Sequence, residues 1–158
     1  MARVIASLEN IDARCNCLAA RKASRYLTAA YDQALAPAKL RATQFSILYK
    51  LASAGPATIG ELALNMAMDR TTLTSNLKPL ERESLIEMAS GQDRRVKIVA
   101  ITVEGTSRYH KALPLWKAVQ LEFETRYGEK HAASLRNALY DVLESGFSPW
   151  SEADAVSL

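Results

Sequence analysis

The sequence has few of the residues from which enzyme sites and disulfide-rich folds are built. Its 158 residues include two cysteines and two histidines, and no HExxH, GxGxxG, GxSxG or phosphate-binding GxxxxGKS/T motif. Two cysteines are too few for a disulfide framework and suit a reducing compartment. His110 and His131 lie far from Cys15-x-Cys17, which supplies only two metal ligands. We therefore predict a protein that is not an enzyme and needs no cofactor or metal.

Long apolar runs are also missing. Arg14 and Arg21 interrupt the first apolar segment, and no other segment has the length that a membrane-spanning helix requires. The first residues, MARVIASLENIDARCN, lack the apolar core of a signal peptide. We therefore expect a cytoplasmic protein with no membrane partner.

Charge of one sign does not dominate the chain as a whole. Residues 1–50 carry eight Lys or Arg against three Asp or Glu, residues 51–101 carry six against six, and residues 102–158 carry six against eight. A DNA-binding function must therefore depend on where the cations of the middle segment lie rather than on net charge.

Apolar residues at helical spacing predict long helices at both ends of the chain. The first runs from about Ile11 to Leu35, and a second, capped by Thr43, ends before Gly55. A helix from Thr102 to about Tyr127 should kink or restart at Pro114. The last helix, about 129–145, is predicted to bury three apolar residues, Leu135, Leu139 and Val142.

Two short helices lie between these long ones. Thr58 and Glu61 have the spacing of a capping box, and Asp69 is placed to cap the helix that follows. Two short helices joined by a tight turn form a helix-turn-helix. The second should bend at Pro79, because proline removes one backbone hydrogen bond.

The segment DRTTLTSNLKPL predicts a helix with two unlike faces. Leu73, Leu77 and Leu80 recur at helical spacing, while residues 70–80 contain no Asp or Glu. A helix in the DNA major groove needs such an inner face and an outer face of short polar groups and cations. The alternative is a solvated amphipathic helix. The predicted DNA-contacting residues are Arg70, Thr71, Thr72, Thr74, Ser75, Asn76 and Lys78.

A β-hairpin is predicted directly after this helix. Residues 85–88 and 96–101 have strand composition, and residues 90–94 between them have turn composition. Its tip carries Asp93, Arg94 and Arg95, and Arg is attracted to a narrow minor groove. We expect Asp93 to orient one Arg while the other reaches DNA. Charges that deter edge-to-edge pairing of strands are the alternative explanation.

Four stretches together resemble the MarR family of transcriptional regulators: TQFSILYKLA, TIGELA, DRTTLTSNLKPLERESLI and DRRVKIVAITVEG. The resemblance implies a single, mainly α domain over 1–158, with a small β-wing. Residues 11–36 and 102–146 would be dimerisation helices, residues 43–101 the winged helix-turn-helix lobe, and 147–158 a tail. It also implies a homodimer on a near-palindromic operator in double-stranded DNA. Such proteins are usually repressors that a small ligand or oxidation releases.

A possible signal is suggested by the pair Cys15 and Cys17. Cys17 and Tyr31 resemble, in their spacing, the reactive Cys and the Tyr of the family's organic-hydroperoxide-sensing branch. The chain departs from that branch at Ala42 and Arg21, where tyrosines are expected, although Arg21 lies one turn from Cys17 and would favour its thiolate. If both cysteines are helical they point apart, so an intersubunit or mixed disulfide is favoured over a bridge between them.

Other functions remain open at this point. In one alternative both cysteines are buried packing residues. In another the inducer is an aromatic or lipophilic ligand in the cleft between the dimerisation helices and the winged helix. The aromatic residues are then expected to be core first and pocket lining second: Tyr26, Tyr31, Phe45, Tyr49 and Trp116. A thiol-dependent peroxidase is the enzymatic alternative. A winged helix that binds protein instead of DNA is a third, and the two wing arginines argue against it.

Overall fold

The computed structural model describes residues 10–147. Within them the chain forms seven α-helices and three short strands, in the order α1 (Ile11–Arg14), α2 (Asn16–Leu35), α3 (Ala42–Ala54), β1 (Ala57–Thr58), α4 (Ile59–Asn65), α5 (Arg70–Arg82), β2 (Ile86–Ser90), β3 (Lys97–Ile101), α6 (Val103–Tyr127) and α7 (Glu129–Leu143). No helix of this described part is long and apolar enough to cross a membrane.

The strands form one antiparallel sheet in the order β1-β3-β2. The predicted hairpin is present, with Met88 opposite Val99 and Ser90 opposite Lys97. Strand β1 was not predicted, because two residues are too short to show an alternating pattern. It pairs Ala57 with Val99 on the other side of β3 and so ties the start of α4 to the hairpin.

The apolar core lies beneath the helix-turn-helix. The side chains of Leu73, Leu77 and Leu80 are completely buried, as the spacing in α5 predicted. Phe45 of α3 stacks on Tyr109 and Trp116 of α6, with ring centroids 5.4 and 6.1 Å apart. Helix α3 therefore packs on α6.

The first predicted helix is interrupted at Cys15. Cys15 has an extended backbone and is the N-cap of α2, with Sγ accepting a hydrogen bond from the Leu18 amide at 3.3 Å. The prediction of one helix from Ile11 was wrong here, because the capping thiol offers the free amides of the first turn a local partner. The predicted end was correct, since α2 gives way to a 3₁₀ turn, Ala36–Ala38, that contains Pro37.

The start of α3 also differs from its prediction. The helix begins at Ala42, so Thr43 is its second residue and not its cap. Two side chains satisfy the first amides instead: Asp32 of α2 accepts from the Ala42 amide at 2.7 Å, and Gln44 accepts from the Arg41 amide at 2.9 Å. A carboxylate from a different helix is a cap that local sequence does not reveal.

Both prolines inside helices are tolerated. Helix α6 runs without a break from Val103 to Tyr127 through Pro114, so the predicted restart does not occur. Helix α5 likewise continues past Pro79 to Arg82. One missing amide hydrogen bond is a local cost, and packing of the buried face on both sides outweighs it.

The apolar faces of the end helices are largely uncovered. Leu139 and Val142 of α7, predicted to be buried, are 46% and 61% exposed, and Leu135 is half-buried. Tyr26 of α2 is 78% exposed. The burial prediction was wrong for the single chain, because nothing within residues 10–147 packs over these faces.

Helix α6 lies close to Leu85, the residue before β2, at Gly105. Thr102 caps α6, with Oγ1 accepting from the Gly105 amide at 2.9 Å and donating to the Ser84 carbonyl at 2.7 Å. A Cβ at Gly105 would lie 2.0 Å from the Leu85 carbonyl oxygen. The Thr-x-x-Gly pattern thus joins the helix-turn-helix and hairpin to the long helix that follows.

Candidate nucleic-acid interface

Side-chain caps orient the two helices of the helix-turn-helix. Thr58 and Glu61 form the predicted capping box, with Thr58 Oγ1 accepting from the Glu61 amide at 3.1 Å and Glu61 Oε2 accepting from the Thr58 amide at 2.8 Å. Asp69 accepts from the Thr72 hydroxyl at 2.6 Å and from its amide at 2.8 Å. These two hydrogen bonds hold the pKa of Asp69 below its usual value. The carboxylate is therefore charged at neutral pH and favours the positive end of α5.

The outer face of α5 is open to solvent along its length. Arg70, Thr71, Thr72, Ser75 and Lys78 are exposed. Thr74 and Asn76 are half-buried beside the leucine stripe. The structure thus brings the seven predicted residues together on one helix, with five of them fully accessible.

Three of the polar side chains donate to the backbone of their own helix. Thr74 Oγ1 donates to the Arg70 carbonyl at 2.7 Å, Ser75 Oγ to the Thr71 carbonyl at 3.0 Å and Asn76 Nδ2 to the Thr72 carbonyl at 2.9 Å. The Thr74 and Ser75 hydroxyls each use their single proton in these bonds and need a rotamer change before they donate to a base, whereas Asn76 Nδ2 keeps a second hydrogen. Sequence pattern alone did not show this.

The wing is a tight turn closed by backbone hydrogen bonds. Gly91 donates its amide to the Val96 carbonyl at 2.8 Å, and Val96 donates to the Asp93 carbonyl at 2.9 Å. Asp93 Oδ1 accepts from the Arg95 amide at 2.9 Å. The expectation that Asp93 orients an Arg side chain was wrong, because its short carboxylate reaches the backbone two residues on and shapes the turn itself.

The wing arginines and the α5 cations are available for other partners. Arg94, Arg95, Arg70 and Lys78 are all exposed, and none of the ion pairs within residues 10–147 includes them. The exposed polar face of α5 and the basic wing make a surface with the chemistry to bind a polyanion.

Known proteins are similar to this DNA-binding lobe in sequence and fold. A sequence model of the MarR family matches residues 40–97, from the end of the 3₁₀ turn to the start of β3. The crystal structure of the M. tuberculosis transcriptional regulator MosR in complex with DNA is 36% identical, spans 85% of this chain and all of that one, and superposes with a TM-score of 0.74. This chain belongs to the MarR family. The predicted family, the mainly α fold with a β-wing, and the class of transcriptional regulator are confirmed.

Two further relatives agree with this assignment. E. coli MarR, as a mutant complexed with operator DNA, shares the fold with a TM-score of 0.75 at 20% identity, over 86% of this chain and 99% of that one. YwoH, an HTH-type transcriptional regulator of Bacillus subtilis (strain 168), is 29% identical over 90 residues, which are 57% of this chain and 66% of that protein.

The predicted sensor residues lie at different places on α2. Cys15 is half-buried at the N-cap, and Cys17 is exposed in the first turn; both are free thiols. Tyr31 is 14 residues beyond Cys17, or about 21 Å along the helix axis. Within one chain the Tyr31 hydroxyl donates to Gln120 Oε1 of α6 instead. Any contact between Tyr31 and Cys17 therefore needs a second chain.

Tyr31 begins a polar chain that links the three end helices. Gln120 Nε2 donates to Glu124 Oε1 at 2.8 Å, and the Arg136 guanidinium of α7 donates to the same oxygen at 2.8 Å. These two partners hold the pKa of Glu124 below its usual value. Burial, followed by the charge of Glu124, raises the pKa of Tyr31. No sequence pattern predicted this series of hydrogen bonds, because its residues lie on three different helices.

A groove of 780 Å³ runs between α2 and α6, beside this polar chain. Leu27, Val119 and Phe123 contribute to its apolar walls. Of the aromatics expected near a cleft, Tyr26 and Tyr31 line the groove, whereas Phe45 and Trp116 belong to the core. Tyr49 is 48% exposed and lies near Tyr109, with ring centroids 6.4 Å apart.

Proposed function

We propose that this MarR-family chain is a cytoplasmic, homodimeric repressor that binds a near-palindromic operator in double-stranded DNA. The observation that carries the proposal is α5, where a completely buried leucine stripe supports an exposed outer face that has cations and, over residues 70–80, no acid. In the major groove, Arg70, Thr71, Thr74, Ser75 and Lys78 would face bases and phosphates. The solved structures of MosR in complex with DNA and of a MarR mutant complexed with operator DNA support DNA binding by this fold.

In this proposal the wing supplies a second contact with DNA. The turn held by Asp93 projects Arg94 and Arg95 away from the sheet, where a narrow minor groove would attract them. Thr72 and Asn76 have a supporting part, since both are hydrogen-bonded at the N-terminal half of α5.

A second copy of the chain would cover the end helices. Leu139, Val142 and Leu143 leave an exposed apolar stripe on α7, and α2 exposes Tyr26. Burial of such a face is the main favourable term in association. We assign residues 11–36 and 102–146 to dimerisation and residues 43–101 to DNA binding, which would place two copies of α5 on successive turns of the duplex.

DNA binding is tested with a fluorescent duplex from upstream of the protein's own gene, or from a random-sequence selection. Affinity should fall steeply as salt rises, because phosphate contacts release counterions. The double variant Arg94→Ala/Arg95→Ala should bind more weakly, whereas Lys130→Ala on α7 controls for the loss of one exposed charge outside the DNA-binding lobe. Equal affinity of wild type and the wing variant would favour a winged helix that binds protein.

For the signal we propose thiol oxidation at the start of α2. The Cys15 sulfur accepts a hydrogen bond from the Leu18 amide at the N-terminus of α2, and exposed Cys17 follows two residues later. Because Cys15 lies before the helix, the argument that the two side chains must point apart no longer applies. Oxidation at Cys15 would remove the cap of a helix assigned to the dimer interface.

The signal is tested on the DNA-bound protein with one equivalent of an organic hydroperoxide. We expect release of DNA by wild type but not by Cys15→Ser or Cys17→Ser. Mass spectrometry then separates a bridge within one chain, a loss of two hydrogens, from an intersubunit or mixed disulfide. With a thiol reductant added, consumption of peroxide well beyond one equivalent per thiol by wild type but not by the cysteine variants would indicate a peroxidase. Retention of DNA by fully oxidised wild type would contradict thiol sensing.

An aromatic or lipophilic inducer is the second candidate signal, and the groove between α2 and α6 favours it. Its volume of 780 Å³ suits a small organic molecule, and it combines apolar walls with the Tyr31 hydroxyl. A compound that releases DNA from the double Cys→Ser variant, but not from a Val119→Trp variant that fills the groove, would support this signal.

A further inference from the structure

A second hollow, of 860 Å³, lies where the dimerisation helices meet the DNA-binding lobe. The end of α2, the start of α3 and one side of α5 form its walls. Ser75, Asn76, Pro79 and Arg82 supply the α5 wall, and this spacing makes them one flank of the helix. The hollow therefore adjoins the outer face of α5 and is separate from the wing.

The flanks of a helix in the major groove lie close to phosphates. The groove is about 12 Å wide, and a helix with its side chains is about 10–12 Å across. If α5 enters the groove as proposed above, the flank containing Asn76 and Arg82 would face one phosphate wall. Groups that line the hollow behind that flank would then be within reach of the same DNA strand.

The acidic residues of the hollow have other partners, so they pair weakly or not at all with its cations. Its two acids are already engaged: Asp32 accepts from the Ala42 amide at 2.7 Å, and Glu83 pairs with Arg108 at 3.4 Å. Arg41 pairs only loosely with Asp32, at 3.6 Å, and its side chain is 79% exposed.

Lys39 and Arg82 complete the set of cations. Both are exposed, and neither takes part in an ion pair within residues 10–147. Lys39 also has a left-handed backbone (φ 55°), which ends the 3₁₀ turn beside the hollow. Three cations, two from the connection between the 3₁₀ turn and α3 and one from the end of α5, thus surround one opening.

We propose that Lys39, Arg41 and Arg82 form a second phosphate-binding surface, which holds the DNA backbone alongside α5. This inference rests on the proposed DNA-binding function and adds contacts outside the helix-turn-helix and wing. Contacts to phosphate neutralise charge without reading bases, so these residues would set the position of α5 in the groove and not the sequence preference.

The test is the salt dependence of DNA affinity for single variants Lys39→Gln, Arg41→Gln and Arg82→Gln. Each lost phosphate contact should make the slope of log affinity against log salt shallower by about 0.9, equally for operator and unrelated DNA. Arg41→Lys, which keeps the charge, should retain the wild-type slope. Lys130→Gln on α7, outside the hollow, controls for the loss of one exposed cation. Because α7 is assigned to dimerisation, the dimer dissociation constant of this variant is also measured, and circular dichroism checks that each variant is folded.

The possible outcomes separate this inference from the function on which it rests. Unchanged slopes in all three variants, with steep salt dependence in wild type, would overturn the second surface and leave DNA binding intact. Wild type that binds no DNA at low salt would overturn both. A variant that loses affinity for operator alone, with an unchanged slope, would mean that the residue reads bases. If inorganic phosphate alone raises the melting temperature of wild type but not of Arg41→Gln, and slopes stay unchanged, the hollow binds a free anion instead.

Discussion

The DNA-binding lobe and the end helices differ in what covers their apolar side chains. In the lobe, Leu73, Leu77 and Leu80 are completely buried by the chain itself. In α7, Leu139 and Leu143 are 46% and 66% exposed although they have similar helical spacing. Periodicity therefore indicates which face of a helix is apolar, and a contact within the chain or with another chain decides whether that face is buried.

The largest effect is expected from truncation inside the lobe. Leu77→Ala removes a completely buried side chain and should lower the free energy of unfolding by about 2–5 kcal/mol. Since the surrounding core belongs to one chain, the loss should be the same at every protein concentration. Urea unfolding at two concentrations a hundredfold apart measures it. A loss under 1 kcal/mol would mean that the core of the lobe is loosely packed.

The matched truncation in α7 should act on association. Leu139→Ala removes a side chain that we expect a second chain to bury, which would raise the dissociation constant of the dimer about 10- to 100-fold. Analytical ultracentrifugation measures the constant, and the far-ultraviolet spectrum should keep its helical content. An unchanged dissociation constant, or a wild-type chain that is a monomer, would contradict the assignment of α7 to the interface.

Predictions from the sequence were more accurate in the DNA-binding lobe than in the end helices. The leucine stripe of α5, both caps of the helix-turn-helix and the hairpin depend on residues close together in sequence, and the structure contains all of them. The errors at Leu139 and Val142 arose because burial there depends on a neighbour outside the chain. The Asp32 cap on α3 and the hydrogen bonds from Tyr31 to Arg136 join separate helices. The spacing of apolar residues does not predict contacts of this kind.

Gly105 joins the two regions, and its substitution should have an intermediate effect. In Gly105→Ala the new methyl group would clash with the Leu85 carbonyl oxygen, so α6 must shift relative to the backbone that leads into β2. We expect a loss of about 1–3 kcal/mol in unfolding free energy, typical of overpacking. Gly91→Ala in the wing is the control, because its Cβ would meet only ordinary contacts from 3.4 Å outward. Equal stability of the two variants would show that the junction yields easily.

Some features of the candidate site could not be predicted from the sequence. The seven polar residues of α5 were found from their composition, yet their inward hydrogen bonds depend on rotamers. Asp93 was correctly placed in the wing turn but given the wrong partner, since the backbone amide of Arg95 competes with its guanidinium. Lys39, Arg41 and Arg82 are scattered along the sequence, and only the fold places them around one hollow.

The smallest effect we expect is a pH dependence that separates the two regions. In the lobe, hydrogen bonds from Thr72 lower the pKa of Asp69, so its contribution is present above the unfolded value of about 3.9 and is lost as pH falls through the folded value. Asp69→Asn keeps a capping oxygen without the charge and should therefore lose less stability than wild type between about pH 5 and 2.

In the end helices, burial raises the pKa of Tyr31, so its contribution to stability is lost on the alkaline side, as pH rises through the folded value. Urea unfolding across pH should show Asp69→Asn altering only the acid limb and Tyr31→Phe only the alkaline limb; parallel acid limbs for Asp69→Asn and wild type would show that the cap acts without its charge.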